Sequence, residues 1–185
     1  MMSGAAAAMI TKTIDAPMVN PNNFLSSNMP ASGDWLDTRF GKIKVPKMNG
    51  ESIAEPDYSI VFPKGMLGMP DRNKFFLANF PLEKFSRFKL LQSLEDVALS
   101  FITMPTELEN PIVSAEDIAE GCKDLSIPLD SLTLFFIVSV HRELDNTVKL
   151  SVNARAPLFI DSNKRTAEQY VLRNNKYVVR HFIDA

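Results

Sequence analysis

The sequence predicts a mostly β fold: a small antiparallel, barrel-like domain with one short helix, preceded by a flexible N-terminal extension. From Trp35 onward, short apolar segments recur between Gly, Pro, Asn and Asp residues, as in β sandwiches and barrels. Val148, Leu150 and Val152 alternate with polar residues, which is the period of a strand with one solvated face. The segments do not alternate between strand and helix as in a doubly wound parallel sheet.

The apolar pattern predicts about ten short strands. Gly41 lies inside the first of them, where a glycine indicates a bend or a bulge. The run 132–140 is the most apolar, and its β-branched and aromatic residues favour a buried strand over a helix. Asn174 and Asn175 indicate a turn between the last two strands. The predicted strands are residues 38–45, 58–62, 74–80, 88–94, 99–104, 132–140, 148–152, 158–160, 169–172 and 177–180.

One segment carries the signals of a helix, which we predict over residues 114–124. Ser114 is a candidate N-cap, and Asp117 follows three residues later in the arrangement of a capping box. Val113 and Ile118 occupy the two positions of a hydrophobic staple, in which apolar side chains on either side of the cap pack together. These signals predict where the helix begins.

Residues 1–34 differ in composition from the rest of the chain, because they are rich in Ala, Met, Asn, Pro and Ser. We therefore expect a flexible extension over residues 1–34 and a single β domain over residues 35–185, with Phe24 and Leu25 able to dock locally. The apolar start is short and has no preceding Lys or Arg, so we interpret it as a tail and not as a signal peptide. No apolar run reaches the roughly 18 residues that a membrane-spanning helix needs.

The charge composition argues against a nucleic-acid-binding protein. The chain has 20 Lys and Arg against 22 Asp and Glu, a net charge of −2, and a pI of about 5.7. Nucleic-acid-binding domains usually have a basic face and a high pI. Basic residues from Arg155 onward, with Tyr170 and Tyr177 among them, leave an RNA-binding barrel as the alternative. The single Cys122 has no disulfide partner in the chain, and we expect a buried apolar role for it.

The sequence contains no pattern that indicates an enzyme. Residues 63–68 lack both the Gly-Lys-Ser/Thr ending of a phosphate-binding loop and the spacing of a dinucleotide-binding loop. His141 and His181 are far apart, and no Cys or His lies at metal-ligand spacing from either. Glu95 and Asp96 are adjacent, whereas acid–base catalysis needs carboxyl groups that converge on one site. We expect no catalytic residue, no metal and no cofactor.

Five segments from the start of the predicted domain to its end resemble, in order, motifs of the FliW family. The segments are Arg39-Phe40-Gly41, Phe62-Pro63-Lys64-Gly65-Met66-Leu67-Gly68, Leu91-Gln92-Ser93-Leu94-Glu95-Asp96, Asn153-Ala154-Arg155-Ala156-Pro157-Leu158-Phe159-Ile160 and Tyr177-Val178-Val179-Arg180-His181. The resemblance covers residues 38–183. Three positions depart from the family pattern: Met69 replaces a common aromatic residue, Ala167 a frequent Gly, and Phe182 a frequent Pro. These departures concern partner specificity more than fold.

The resemblance implies a cytoplasmic, non-enzymatic regulator and chaperone, which we expect to be monomeric on its own. Such proteins bind flagellin, and many of them also bind the translational repressor CsrA. Binding of CsrA frees the flagellin messenger RNA from repression. Flagellin and CsrA compete for the same protein, and their concentrations determine which of them is bound. The resemblance implies neither a membrane partner nor direct binding of nucleic acid.

Candidate partner-binding residues lie in three of these segments. The apolar side chains of the loop 62–69 either anchor an apolar helix of a partner or plug one end of the barrel, and both interpretations stay open. Glu95 and Asp96 either steer a basic partner such as CsrA or belong to an ordinary solvated turn, and both interpretations stay open. Arg180 and His181 form the C-terminal candidate. The full set is Phe62, Met66, Leu67, Met69, Glu95, Asp96, Arg180 and His181.

Overall fold

The computed structural model describes residues 18–20, 23–24, 33–50, 52–54, 58–107 and 110–184. These residues include helix α1 (Ala115–Leu125), two 3₁₀ turns (Glu83–Phe85 and Leu129–Ser131) and thirteen strands. The strands are β1 (Asp34–Thr38), β2 (Gly41–Val45), β3 (Met48–Asn49), β4 (Ser52–Ile53), β5 (Ile60–Val61), β6 (Lys74–Asn79), β7 (Lys89–Ser93), β8 (Ser100–Pro105), β9 (Leu132–Arg142), β10 (Val148–Val152), β11 (Leu158–Asp161), β12 (Thr166–Gln169) and β13 (His181–Ile183).

Seven strands close into a ring in the order β5, β6, β7, β8, β9, β11, β12. Neighbours in the ring are antiparallel except β12 and β5, which are parallel and pair through Thr166 and Val61. The second half of β9 pairs with β10, and β10 pairs with β13, so a small sheet continues outside the ring. The predicted mostly β, barrel-like fold is confirmed.

The strands of the ring are buried on both faces because the ring is filled inside and covered outside. Successive side chains of a strand point to opposite faces. On β9, Phe135 and Ile137 therefore point into the ring, whereas Leu134, Phe136 and Val138 belong to an outer layer that includes α1. The hairpin of β1 and β2 covers the outer face of β6 and β7 in a second layer. The ring interior contains Ile60, Phe62, Met66, Phe75, Leu77, Leu91, Phe135, Leu158, Ile160 and Ala167.

The predicted helix is confirmed, with its N-cap and its staple. The Ser114 hydroxyl accepts a hydrogen bond from the Asp117 N–H at 3.4 Å. Val113 and Ile118 are buried in the same cluster. In a usual capping box the side chain at the Asp117 position accepts from the N–H of the N-cap residue. Here the Ser114 N–H donates to the Tyr177 hydroxyl at 2.9 Å instead, and the Asp117 carboxylate accepts from the Ser114 hydroxyl at 2.7 Å. The cap therefore also ties the helix to the C-terminal segment.

Gly121 brings α1 close to the ring. A Cβ atom at this position would lie 2.6 Å from Cζ of Phe159 on β11 and 3.3 Å from Cδ1 of Tyr170. Cys122, next to it, is 4% exposed, and burial raises the pKa of its thiol to about 12. The thiol therefore stays protonated at neutral pH, which agrees with the buried apolar role predicted for it.

The prediction of one strand over residues 38–45 was wrong, because the segment is part of a hairpin. β1 begins at Asp34, Thr38 pairs with Gly41, and the chain reverses at Arg39 and Phe40. Gly41 has φ 128°, and the Thr38 hydroxyl donates to the Gly41 carbonyl at 2.7 Å. A reversal of this kind needs the positive φ that glycine allows, so the glycine ends a turn and does not bend a strand.

The last two predicted strands were also misplaced. β12 ends where the predicted strand 169–172 begins, and β13 begins after the predicted strand 177–180. The Leu172 N–H donates to the Arg155 carbonyl at 2.9 Å, and the Arg155 N–H donates to the Val178 carbonyl at 3.1 Å. The Tyr170 N–H also donates to the Pro157 carbonyl at 3.0 Å, so these stretches bond to the turn before β11 through one or two hydrogen bonds each and are not assigned as strands.

Two short stretches of the predicted extension contact the barrel. The Val19 N–H donates to the Leu132 carbonyl at the start of β9 at 2.9 Å, and Phe24 is 4% exposed within the ring-interior cluster. Local docking of Phe24 is confirmed. Leu25 and most of residues 1–32 lie outside the described residues, so flexibility of the extension stays a prediction.

We predict that Phe24→Ala lowers the free energy of unfolding by about 3 kcal/mol, because it leaves a cavity in the ring interior. Urea denaturation of the full chain measures this change. Leu144→Ala is the control, since Leu144 is fully exposed and its truncation should change stability by less than about 0.5 kcal/mol. Equal stability of the Phe24 variant and the unmodified chain would contradict the contact.

Candidate partner-binding surface

Two of the three candidate segments meet at one end of the barrel. The loop 62–73 connects β5 to β6, and the turn 94–99 connects β7 to β8. They are in contact, because the Asn73 N–H donates to Oε2 of Glu95 at 3.0 Å. We call this end, made of residues 62–73 and 94–99, the loop end.

The loop 62–73 plugs the barrel with two of its candidate residues. Phe62 is fully buried and Met66 is 2% exposed, both within the ring-interior cluster. Gly65 makes the turn between them with φ 69°, and a Cβ atom there would lie 2.5 Å from the Pro70 carbonyl oxygen. A larger residue would therefore force the two sides of the loop apart.

Leu67 is the accessible apolar side chain at the tip of this loop. It is 53% exposed, and Met69 beside it is partly buried. The Leu67 N–H donates to Oε1 of Gln169 at 3.2 Å, and Nε2 of Gln169 donates to the Ala156 carbonyl at 3.3 Å. Gln169 thus holds the backbone of Leu67 against the turn before β11.

The two acidic candidates both stabilise backbone at the loop end. Oε2 of Glu95 accepts from the N–H groups of Asn73 and Lys74 at 3.0 and 3.3 Å. Oδ1 of Asp96 accepts from the Ala98 N–H at 3.0 Å. Glu95 is exposed and Asp96 is half-buried. Their carboxylates therefore have fixed positions from which they can act on a partner.

A buried glutamine organises the turn that carries these acids. Gln92 is fully buried, and its Nε2 lies 3.0–3.3 Å from the carbonyl oxygens of Ser93, Asp96, Val97 and Leu99. Sequence reasoning did not single out this residue as a positioning group. The available signal was a lone amide within the apolar strand 88–94.

The third candidate segment lies on another element. His181 begins β13 and pairs with Val152, and Arg180 precedes it in an irregular stretch. Both are exposed. The neighbouring Phe182 is 54% exposed, and its ring centroid lies 5.7 Å from that of His141. β13 forms the outer edge of the small sheet, so one side of its backbone is open to further pairing.

Asp117 on α1 clamps the segment that leads to this edge strand. Its carboxylate accepts from the Tyr177 hydroxyl at 2.6 Å and lies 2.9 Å from Nζ of Lys176, and the Asn174 amide lies 3.4 Å away. The hydrogen bond from Tyr177, with smaller ones from Ser114, Lys176 and Asn174, holds the pKa of Asp117 well below its ordinary value. The C-terminal segment is thus fixed to the helix.

The described residues contain no group of three His, Cys, Asp or Glu side chains that could hold a metal ion. Within the same part of the chain, no helix has the length and apolar character needed to cross a membrane. The candidate functional surface consists of the loop end, which Gln169 and Glu95 order, and the edge strand β13. Such an arrangement defines a small β-barrel domain whose candidate site is a binding surface.

Comparison with known proteins agrees with this architecture. The family model described as FliW protein matches residues 37–183. A flagellar assembly factor FliW of Clostridium beijerinckii is 30% identical over 139 residues, 74% of this chain and 94% of the relative. One from Syntrophus aciditrophicus is 31% identical over 147 residues, 79% of this chain and 84% of the relative. A crystal structure of the flagellar assembly factor FliW superposes with a TM-score of 0.54 at 20% identity, covering 82% of this chain and 98% of that chain. The chain belongs to the FliW family.

We predict that the Asp117 clamp makes stability depend on pH. Because the folded-state pKa lies below the unfolded value of about 3.9, the ionised carboxylate contributes stability above that pH, and the contribution is lost as the pH falls. The free energy of unfolding should therefore fall from about pH 5 downward, and Tyr177→Phe should make this fall shallower. At pH 7 the same substitution should cost about 1–2 kcal/mol.

Urea denaturation at a series of pH values measures both effects. Glu116→Gln is the control, because Glu116 is an exposed acid in the same helical turn and has no hydrogen bond or ion pair within the described residues. An identical pH profile for Tyr177→Phe and the unmodified chain would show that Tyr177 does not stabilise the carboxylate.

Proposed function

We propose that this chain is a cytoplasmic flagellar assembly factor that binds flagellin as a chaperone and also binds the translational repressor CsrA. Binding of CsrA would relieve repression of flagellin messenger RNA. The observation that carries the proposal is the match to the FliW family over residues 37–183, together with relatives named flagellar assembly factors. We propose that the protein acts without catalysis or a cofactor and is monomeric on its own.

The loop end is the proposed partner-binding surface. Leu67 offers an exposed apolar side chain on a backbone held by Gln169, and Met69 adds adaptable apolar area beside it. Phe62 and Met66 act beneath them by filling the barrel. A rigid support of this kind lowers the conformational entropy lost on binding, which favours affinity.

The acids of the loop end suit a basic partner. CsrA-type repressors are basic, so Glu95 and Asp96 would accelerate their association by electrostatic attraction. Arg180 and His181 supply a second contact on β13, where a partner strand has an open edge to pair with. The net charge of −2 does not favour the alternative, an RNA-binding barrel.

We predict mutually exclusive binding of the two protein partners. In a titration of the full chain with flagellin and the CsrA homologue of the same organism, each should bind with a Kd of about 1 µM or tighter, and each should displace the other. Analytical ultracentrifugation of the three-component mixture should then detect two binary complexes. A ternary complex would contradict competition between the two partners. Binding of flagellin alone would indicate a chaperone without translational control. Binding of neither partner would refute the proposed function as a flagellin chaperone and CsrA antagonist.

We predict that Leu67→Ala weakens partner binding by at least about 1 kcal/mol, or about fivefold, without changing the melting temperature. Met66→Ala should lower stability by about 2–4 kcal/mol instead, because Met66 is buried. Leu82→Ala is the control, since Leu82 is also exposed but follows β6 at the opposite end of the barrel. Unchanged affinity of the Leu67 variant would remove this residue from the interface.

A further inference from the structure

The outer layer that contains α1 extends beyond the helix onto a sheet face that none of the described elements covers. Val138, Leu150 and Val152 belong to this layer and are buried, and Ile102 and Ile183 pack against it as partly buried residues. Val140 pairs with Leu150, so its side chain lies on the same face, and it is 54% exposed. Apolar side chains thus continue from the core onto the surface.

We call this the β8–β10 face and define it by Ile102, Val138, Val140, Val148 and Leu150. Val148 lies opposite Arg142 at the end of the sheet and is 49% exposed. A cavity of about 400 Å³ lies over Ile102, Val138 and Val140. Val140 and Val148 are the exposed members of this face, and exposed apolar side chains beside a cavity are typical of an interaction site.

The wall of this cavity comes from the turn of the β1–β2 hairpin. Arg39 and Phe40 line it beside Ser100 at the start of β8. Nη2 of Arg39 donates to the Ser100 carbonyl at 3.3 Å, and the guanidinium lies 4.7 Å from the centroid of the Phe40 ring. Two outer layers therefore leave a groove between them, open above β8 and β9.

Three arginines border the β8–β10 face. Arg39 lies on the hairpin side, Arg142 ends β9 on the same face as Val140, and Arg87 contacts Sδ of Met104 on β8 at 3.4 Å. All three are exposed. Within the described residues none of them has a carboxylate within 4 Å. Arg87 also lines a pocket with Glu107 and Asp184, which partly offset its charge, so Arg39 and Arg142 contribute most of the positive charge available to a bound partner.

We propose that the β8–β10 face binds an amphipathic helix of a partner protein, apolar on the side that meets the sheet and acidic along its flanks. Elements that pack on a sheet face bury an apolar stripe against it, as α1 does on the same layer. Acidic flanks would complement the three arginines, and guanidinium–carboxylate pairs are strong, directional contacts.

The charges around the β8–β10 face favour an acidic partner helix over a second copy of this chain and over the chain's own N-terminal residues. A second copy of the chain would bring three more arginines against the first three, and like charges across an interface disfavour association. The chain's own residues 1–17 contain one acid, Asp15, and one base, Lys12, so they supply no excess of negative charge. The proposal does not depend on the identity of flagellin or CsrA as partners.

Two capped helical peptides of 16 residues test the proposal, each with Leu along one face and either Glu or Lys on the remaining positions. With the full chain, fluorescence anisotropy should give at least tenfold tighter binding of the Glu peptide than of the Lys peptide. Hydrogen exchange should slow in β8 to β10 when the Glu peptide is bound. Equal binding of the two peptides, or protection confined to other strands, would overturn the proposal.

Two variants locate the site by different properties. Val140→Asp and the charge reversal Arg39→Glu should each weaken binding of the Glu peptide at least fivefold, with unchanged melting temperatures. The matched controls are Leu144→Asp and Lys42→Glu, since Leu144 and Lys42 are exposed and lie outside the face. Unchanged affinity of the Val140 and Arg39 variants for the Glu peptide would overturn the proposal. Binding of the Glu peptide only after removal of residues 1–17 would also overturn it, because the chain's own N-terminal residues would then occupy the face.

Discussion

The structure depends on one strand that is apolar on both faces. β9 pairs with β8 along one edge and with β11 and β10 along the other, so it closes the ring and also carries the small sheet outside it. Phe135 fills the ring while Leu134 and Phe136 pack under α1. Because side chains alternate between the two faces, a shift of β9 by one residue would exchange both sets. The register of β9 therefore fixes the ring, the helix layer and the β8–β10 face together.

Polar side chains order the segments that have no strand ladder. Buried backbone groups need hydrogen-bond partners, and loops must find them outside a sheet. Gln92 supplies an amide to the carbonyls of the turn 94–99, Gln169 supports the tip of the loop 62–73, and Asp117 holds the C-terminal segment. One of these residues, Gln92, lies in a segment that resembles the family motifs. Their physical role is to give surface loops one conformation.

The sequence allowed prediction of elements whose signal is local. β6, β7, β9 and α1 have continuous apolar runs or capping residues, and their predicted positions agree within one or two residues. The position of β13 was missed because its partner strand β10 is distant in sequence. The hairpin turn at Arg39 was missed because Gly41 was interpreted as a bend within one strand. Within the loop 62–73, strand alternation does not apply, so nothing local distinguishes buried Met66 from exposed Leu67. The β8–β10 face arises from three strands and a turn, and no single segment encodes it.

The two proposed surfaces adjoin, and the turn 94–99 of the loop end is acidic whereas arginines border the β8–β10 face. The acidic turn 94–99 leads directly into Ser100, whose carbonyl accepts from Arg39 at the border of the β8–β10 face. A stable interface buries about 800 Å² on each partner. Surfaces that share the start of β8 would overlap at that size, so two protein partners would exclude each other even if they were anchored by different residues. Opposite charges would meanwhile let each partner select its own surface. In this arrangement the two partners compete because their bound positions overlap in space, and the barrel does not need to change its conformation.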